Sequence, residues 1–254
     1  MSKTNKNHQL KHKNIQQHQH QHQHQHQHQH QHQHKRQHKR ESEKSSSVVF
    51  NKKDLYIDRR NTIIIIDWDD TLYPTSWTMQ NDIDLTNPTS RYRYIKHFEK
   101  LDDNLSAMLN VMSTLGEVII ITNAMPEWVE LSLSVLPKTK KIMHNMEIIS
   151  ARARYQNKTK MPEWKKYTFL EEMIKRSRSK QYTNILSLGD ADFEYNALLN
   201  LYNVTILPHK YLKAIKFIKT ADYDMIVDQI RMIRSNISEI CKMTQHMDLT
   251  FDTN

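Results

Sequence analysis

The sequence predicts an α/β fold of three layers, in which a central parallel sheet carries helices on both faces in a Rossmann-like arrangement. Residues 63–66 are four consecutive isoleucines, residues 118–121 are a second apolar run, and residues 185–188 are apolar except for Ser187. These runs lack the regular polar alternation of a half-exposed strand, which is typical of parallel strands covered on both faces. Amphipathic stretches with helical periodicity separate them, and strands that alternate with helices favour a parallel sheet.

The 254-residue chain has two parts of different composition. Eleven of its 37 Lys and Arg residues and two of its 28 Asp and Glu residues fall in residues 1–53, which leaves 26 basic and 26 acidic residues for the remainder. We therefore expect a disordered basic tail and linker, rich in His and Gln, over residues 1–53 and one folded domain over residues 54–254. The net charge of +9 belongs to the tail, so composition indicates no nucleic-acid-binding surface on the folded domain.

The tail carries two compositional signals. Residues 18–34 alternate His and Gln, and neutral imidazoles could bind transition metals such as Zn²⁺; the alternative is a repeat without a dedicated role. Residues 35–40 fit a nuclear-import signal, a contact with an anionic surface or a solvated charge run. The chain has one cysteine, no apolar N-terminal stretch and no apolar run near the roughly 20 residues of a membrane span. We expect an intracellular protein, cytoplasmic or nuclear, without a membrane segment.

The predicted elements follow in order after the strand 63–66. Residues 73–88 are predicted to form a polar loop or flap, and a helix then runs from residue 90 to Gly116, which is expected to take a left-handed conformation behind the helix. Next come a strand 118–121, a helix 126–136, a basic loop 138–141, a weaker strand 146–149 and a helix that opens at Pro162. The last part is predicted to contain a strand 185–188, a helix 193–201, a strand 204–207, an edge strand 214–218 and a helix over about 222–246. This last helix carries isoleucines at 4-3-4-3 spacing, which pack on the same domain or on a partner helix.

Carboxylates follow the first strand directly. In an open α/β sheet ligands bind beyond the carboxyl ends of the strands, where Asp67 and Asp69 are expected to lie. Residues two apart in an extended chain point the same way, roughly 6–7 Å apart. Two such carboxylates can hold a hard cation, or one can act as a nucleophile and the other as a proton donor. The alternative is a polar strand end, in which Asp70 or Thr71 caps the next segment.

Further polar groups follow the other predicted strands in an order that resembles a known superfamily. The first strand with Asp67-Trp68-Asp69 looks like the first motif of the haloacid dehalogenase-like (HAD) superfamily, and the strand that ends in Thr122 looks like the second. Lys165 matches the third motif, and Gly189-Asp190 matches the fourth. The resemblance covers residues 61–207. Within the superfamily, the chain looks like a capless member of the phosphatase type and is similar to uncharacterised protist members.

The resemblance implies a set of roles. Asp67 is the expected nucleophile, which forms an aspartyl-phosphate, and Asp69 is the expected acid and base. Thr122, Asn123 and Lys165 are expected to bind the phosphoryl group. Asp67 and Asp190, with the main-chain carbonyl of Asp69, are expected to bind Mg²⁺. Dehalogenase members lack a carboxylate two residues after the nucleophile, so Asp69 favours phosphoryl transfer.

Two positions of the motifs leave alternatives open. The second acid of the fourth motif is usually Asp or Asn, whereas here it is either Asp192 or Glu194. The lysine of the third motif is either Lys165 or Lys166. We prefer Lys165, because Trp164-Lys165 looks like the start of a helix in some protist relatives.

The spacing of the motifs bears on the substrate. Neither of the first two gaps has room for a large cap domain, and capless members have open sites that often accept macromolecules such as phosphoproteins. Trp68, Tyr73 and Trp77 either shape access to the site or pack in the core. The sequence therefore predicts a Mg²⁺-dependent phosphatase that acts on a phosphoprotein or another exposed phosphate ester. The alternative is a catalytically weak module that binds a phospho-ligand, or a scaffold whose tail mediates interactions.

Overall fold

The computed structural model describes residues 57–207 and 209–251, so the predictions for residues 1–53 lie outside the described residues. Its strands are β1 (Thr62–Ile66), β2 (Glu117–Thr122), β3 (Glu147–Ser150), β4 (Asn184–Gly189), β5 (Tyr211–Lys216) and β6 (Met247–Thr250). Its α-helices are α1 (Thr75–Gln80), α2 (Pro88–Arg93), α3 (Ile95–Leu115), α4 (Pro126–Leu133), α5 (Pro137–Met143), α6 (Ala151–Tyr155), α7 (Met161–Ser177), α8 (Asp192–Asn200) and α9 (Tyr223–Lys242). A 3₁₀ turn, Arg59–Asn61, leads into β1.

The described strands form one sheet of six, in the order β3-β2-β1-β4-β5-β6. Each neighbouring pair is parallel. The prediction of a parallel, Rossmann-like sheet is therefore confirmed, since this is the strand order of that fold. The direction of the order reverses between β1 and β4, which places the switch point of the topology at the centre of the sheet.

The run of isoleucines in β1 serves both faces of the sheet. Ile64 and Ile66 belong to a core cluster that α3, α4 and α9 cover, whereas Ile63 and Ile65 belong to a second cluster under α7 and α8. All four side chains are at most 1% exposed. Helices therefore cover both faces, as predicted, because successive side chains of a strand point to opposite sides.

The connections between the first three strands contain helices and loops alone within the described residues. The β1–β2 connection holds α1, α2 and α3, and the β2–β3 connection holds α4 and α5. This arrangement agrees with the predicted lack of a large cap domain. The segment predicted as a polar flap contains the short helix α1, and the long helix predicted from residue 90 is divided at Tyr94 into α2 and α3.

Gly116 does not take the predicted left-handed conformation. Its φ and ψ are −173° and −172°, which is extended backbone. A Cβ atom at this position would lie 2.7 Å from the carbonyl oxygen of Thr62 and 2.7 Å from its Cγ2. Glycine is required here by the close approach of β1 to the end of α3, rather than by a turn.

The predicted basic loop 138–141 is wrong, because these residues lie in α5. The carboxylate of Asp102, which is on α3, accepts the backbone N–H of Lys138 at 2.9 Å and that of Thr139 at 2.7 Å. These two N–H groups are in the first turn of α5 and have no partner within their own helix. The N-terminus of this helix is therefore capped by a residue that lies 36 or 37 positions earlier in the chain, Asp102.

The predicted strand 204–207 is also wrong. Residues 201–207 form turns in which the N–H of Val204 donates to Leu201 and that of Leu207 donates to Val204. Leu207 is buried, so its apolar character serves the core without joining the sheet. The predicted edge strand 214–218 corresponds to β5, which is internal because β6 pairs with its other side.

The C-terminal helix begins close to the predicted residue and ends at Lys242, before the predicted limit near 246. Met243 takes an extended conformation, and the chain then enters β6, which was not predicted. The isoleucine seam packs on its own domain: Ile226, Ile230, Ile233 and Ile237 are at most 2% exposed, in the same core cluster as α3. No described helix is long and apolar enough to cross a bilayer.

Candidate active site

The two central strands bring Asp67 and Asp190 together at the switch point. Asp67 follows β1, and its N–H continues the parallel ladder by donating to the carbonyl of Leu188 at 2.9 Å. Asp190 follows Gly189, the last residue of β4. Asp67 is 6% exposed and Asp190 is 8% exposed. The expected edge of the sheet thus carries two buried carboxylates from neighbouring strands.

Lys165 reaches Asp67 from the second turn of α7. Its Nζ lies 2.6 Å from Oδ1 of Asp67 and also contacts Oε1 of Glu194. The residue is 1% exposed, and a buried ammonium group requires such partners. Lys166 points elsewhere, with its Nζ 5.9 Å from the ring centroid of Tyr167. Of the two candidate lysines, Lys165 is therefore the one at the site.

Asp67, Asp190 and Glu194 form a cluster that could hold a metal ion. One carboxylate oxygen from each lies within 4.8 Å of the other two, and all three residues are buried. Glu194 rather than Asp192 joins this cluster, because Asp192 is exposed and pairs with Lys216. An all-oxygen, anionic donor set matches the preference of a hard divalent cation such as Mg²⁺. The residues therefore fit the predicted metal.

Burial and the charges within the cluster shift the pKa values of its members. Burial raises the pKa of Asp190 to about 7, and the charges of Asp67 and Glu194 add to the effect while Lys165 opposes it. Burial also raises the pKa of Glu194, although Lys165 favours its charged form. Burial opposes the charge of Lys165, but the charges of Asp67 and Glu194 outweigh it and raise the pKa of the lysine. One lysine thus only partly balances the carboxylates.

Gly189 allows Glu194 to reach the cluster. A Cβ atom at residue 189 would lie 2.4 Å from Cγ of Glu194 and 2.6 Å from its Oε2. Oε2 also accepts the N–H of Ala191 at 3.2 Å, at the start of α8. The glutamate therefore folds back over the strand end, in space that only glycine leaves open.

Asp69 lies beside this cluster but is not one of its three carboxylates. Its Oδ1 accepts the hydroxyl of Thr75 at 2.5 Å and the indole N–H of Trp128 at 2.9 Å. Burial raises the pKa of Asp69, and the charge of Asp67 adds to the effect, while both hydrogen bonds oppose it. The two donors converge on one oxygen, so Oδ2 is the atom left to carry a proton.

Thr75 and Trp128 were not among the predicted site residues. Thr75 begins α1, within the predicted flap, and Trp128 is in the first turn of α4. The segment after Asp69 is held by Asp70, whose φ of 52° is left-handed and whose carboxylate accepts the N–H of Ser76 at 2.8 Å. Asp70 therefore caps α1, which is the structural role considered for it from sequence, and orients the segment that carries Thr75.

Thr122 and Asn123 lie at the end of β2, next to β1. Thr122 is fully buried, and its Oγ1 accepts the N–H of Ala124 at 3.0 Å, which leaves the hydroxyl proton available to a ligand. The Oδ1 atom of Asn123 is buried and has no hydrogen-bond partner among the described residues. An orphaned polar atom of this kind is costly unless something binds it.

The aromatic residues near the first motif divide between core and surface. Trp68 and Tyr73 are fully buried and stacked, with centroids 6.0 Å apart, and the indole N–H of Trp68 donates to Ser132 at 3.0 Å. Trp77 is half-buried against Tyr94. Core packing is therefore the role of Trp68 and Tyr73.

Comparisons with known proteins give the following. No family model matches the sequence, and no curated protein matches it. A HAD family hydrolase from Deinococcus radiodurans R1, solved with bound phosphate and sodium, is similar over 74% of this chain and 100% of that chain, with 12% identity and a TM-score of 0.37. The HAD domain of effector protein Lem4 from Legionella pneumophila is similar over 72% of this chain and 98% of that chain, with 15% identity and a TM-score of 0.40.

Proposed function

We propose that the chain is a Mg²⁺-dependent phosphatase that works through an aspartyl-phosphate on Asp67. The observation that carries this proposal is the buried contact of Lys165 with both Asp67 and Glu194, beside Asp190, at the switch point of the sheet. A structural salt bridge would need one carboxylate for one lysine. A site that holds three carboxylates around one lysine instead suits an additional cation and an anionic substrate.

The chemical steps follow from the positions of the side chains. A carboxylate oxygen of Asp67 attacks phosphorus, the bond from phosphorus to the leaving oxygen breaks, and an acyl phosphate forms. Asp69 gives its proton to the leaving oxygen, and then takes a proton from water that attacks the acyl phosphate. The bond from Asp67 to phosphorus breaks, and inorganic phosphate leaves. Burial supports the role of Asp69, because a carboxylic acid with an ordinary pKa would be almost fully ionised near pH 7.

Binding of the phosphoryl group falls to other residues of the site. The proton of the Thr122 hydroxyl and the ammonium of Lys165 are donors that can face phosphoryl oxygens. The amide of Asn123 offers a further contact. Asp67, Asp190 and Glu194, with the carbonyl of Asp69, would hold Mg²⁺, which when bound would offset the charge of the carboxylates and polarise the phosphoryl group.

The open edge of the sheet favours an exposed phosphate ester, such as that of a phosphoprotein, over a small molecule enclosed by a cap. We place this activity in residues 54–254 and propose that residues 1–53 are a tail outside the catalytic domain. The second candidate, a catalytically weak module that holds a phospho-ligand in the same pocket, needs the same lysine and carboxylates but no turnover.

The full chain tests the proposal by hydrolysis of p-nitrophenyl phosphate, with Mg²⁺ and with EDTA, beside Asp67→Asn. Asp192→Asn is the matched control, because it removes an exposed carboxylate close to the site. We expect turnover that requires Mg²⁺ and Asp67 and that survives in the control. We also expect a phosphoryl group that stays on the acid-quenched protein and is released by hydroxylamine, as for an acyl phosphate. Equal rates with and without Asp67 would contradict the proposal, and binding of phosphate without turnover would favour the second candidate.

A further inference from the structure

The connection between β3 and α7 carries a concentration of positive charge. Residues 151–160 contain two arginines and two lysines and no acidic residue, although the chain beyond residue 53 has equal numbers of both signs. Arg154 turns inward and pairs with Glu172 at 2.7 Å. The remaining three, Arg152, Lys158 and Lys160, are exposed, and we name them the basic rim.

Both ends of this connection are fixed to loops of the candidate active site. Ser150 pairs with Thr122 across the β2–β3 ladder, and its hydroxyl donates to the carbonyl of Ala124 at 2.7 Å. Arg152 follows Ser150 by two residues. At the other end, Lys160 is the residue that precedes α7, five positions before Lys165, which is about 7 Å along the helix axis. The segment that carries the basic rim is therefore tied at both ends to elements that supply residues of the phosphoryl site.

The cations of the basic rim have no carboxylate partner within ion-pair distance among the described residues. Arg152 contacts the amide oxygen of Gln156 at 3.4 Å, and Lys158 lies 5.3 Å from the ring centroid of Tyr155. Glu163, the nearest acidic residue in sequence, accepts the hydroxyl of Thr159 instead. The three charges are thus available to an anion that approaches from solvent.

The electrostatics of the site explain why such charges matter to a substrate. Asp67, Asp190 and Glu194 repel an approaching anion, and Lys165 is buried between two of them. Positive charges on the rim of a cleft raise the local concentration of anions and speed their association. Their reach is the Debye length, about 8 Å at physiological ionic strength, and the backbone of Lys160 is about 7 Å along the helix axis from that of Lys165.

We propose that the basic rim binds acidic side chains next to the phosphorylated residue, so that the substrate class is an acidic phosphoprotein segment. This inference rests on the proposed function, which supplies the phosphoryl site. Single-stranded nucleic acid is less well suited, because its binding sites combine cations with exposed aromatic rings. Tyr155, the ring beneath Lys158, is only 8% exposed.

The test compares two phosphoserine peptides that differ only in having Glu or Gln on both sides of the phosphoserine. The full chain is compared with R152Q/K158Q/K160Q. The control variant is K140Q/K141Q/R178Q, which removes the same charge from exposed residues of α5 and of the segment after α7. Every variant keeps the basic tail, so the charge of the tail is the same in every measurement.

Exposed ion pairs are individually weak, so we expect the basic-rim variant to lose about tenfold in kcat/KM on the Glu peptide at low salt. We expect a smaller loss on the Gln peptide and on p-nitrophenyl phosphate, because each carries the phosphate charge without the acidic side chains.

Two results would overturn the inference: equal losses on both peptides, or the same loss in the control variant. Anisotropy of a labelled Glu peptide, measured with and without an unlabelled oligonucleotide, gives a readout that needs no turnover. If binding depends on the basic rim while wild-type chain shows no turnover, the proposed phosphatase fails and the inference about acidic segments stands. The unlabelled oligonucleotide and the unlabelled Glu peptide are compared as competitors of the labelled peptide. If the oligonucleotide displaces it at the lower concentration, and this displacement is lost in the basic-rim variant, nucleic acid is the partner and the inference is wrong.

Discussion

Replacement of Asp190 by Asn should stabilise the metal-free chain while it destroys metal binding. Asn has the shape of the protonated acid but cannot ionise. Burial and the charges of Asp67 and Glu194 raise the pKa of Asp190 from 3.8 to about 7. Each pKa unit corresponds to about 1.4 kcal/mol, so ionisation of Asp190 costs the folded chain about 4 kcal/mol relative to the unfolded chain.

The direction of the pH dependence follows from the raised pKa. The folded chain binds the Asp190 proton more tightly than the unfolded chain does, so this contribution to stability is complete below about pH 4 and is lost as the pH rises through about 7. The advantage of Asp190→Asn should therefore grow by about 2.5 kcal/mol between about pH 5 and pH 8. Above about pH 8 it should remain constant.

Urea unfolding of the full chain in EDTA measures this difference at each pH. Asp192→Asn is the control: its carboxylate is exposed and paired with Lys216, so its effect should stay within about 0.5 kcal/mol at every pH. Added Mg²⁺ should raise the stability of the wild type and of the control, but not that of Asp190→Asn. A variant that is less stable than the wild type at about pH 8 in EDTA, or an advantage that does not change with pH, would refute the reasoning.

Three further predictions concern packing, positioning and a buried charge. Gly116→Ala should lower the free energy of unfolding, measured in urea, by about 2 kcal/mol or more, because its Cβ would lie 2.7 Å from the carbonyl oxygen of Thr62. No measurable loss would mean that β1 and the end of α3 separate easily. Trp128→Phe keeps an aromatic ring but removes the N–H that donates to Asp69, so kcat should fall about fivefold on phenyl phosphate. The fall should be smaller on p-nitrophenyl phosphate, because its leaving group needs no proton. Equal losses on the two substrates would argue against a positioning role for Trp128. Glu172→Ala should lower the free energy of unfolding by about 2 kcal/mol, because it leaves Arg154 and Arg176 without this buried partner. If the loss of stability is as large at high salt as at low salt, packing rather than charge is responsible.

The parts of the fold that were predicted correctly are those in which a local pattern has one physical solution. Four β-branched residues in a row at 63–66 pack well only where both faces of a strand are covered, and the structure places two of them on each face. The isoleucine seam of α9 has the period of a helix and packs on α3, as a long amphipathic helix must. Periodicity of this strength does not depend on distant residues.

The parts that were missed depend on distant residues. The start of α5 depends on Asp102, which lies on another helix. Residues 204–207 have the composition of a strand, but β5 occupies the position beside β4, and Leu207 meets the core from a turn. Strand β6 is half-exposed and only four residues long, so its own sequence offers little signal.

The candidate site shows the same division. Asp67 and Asp190 could be found because each directly follows an apolar strand, and Lys165 because of its place in the motif order. The choice of Glu194 over Asp192 depends on which face of α8 meets Gly189, which the fourth-motif pattern does not specify. Trp128 could not be found, because a tryptophan in the first turn of a helix has many possible partners.

The balance of charge at the site argues that it is kept for binding rather than for stability. A buried ion pair contributes little net stability, because desolvation offsets its attraction, and this site places three carboxylates around one lysine. Burial, together with this repulsion, raises the pKa of Asp190 to about 7, so in the absence of another cation the folded chain relieves the repulsion by taking up a proton. A divalent cation relieves the same repulsion at a pH where protons are scarce. Stability without metal and affinity for metal should therefore change in opposite directions when one of these carboxylates is neutralised.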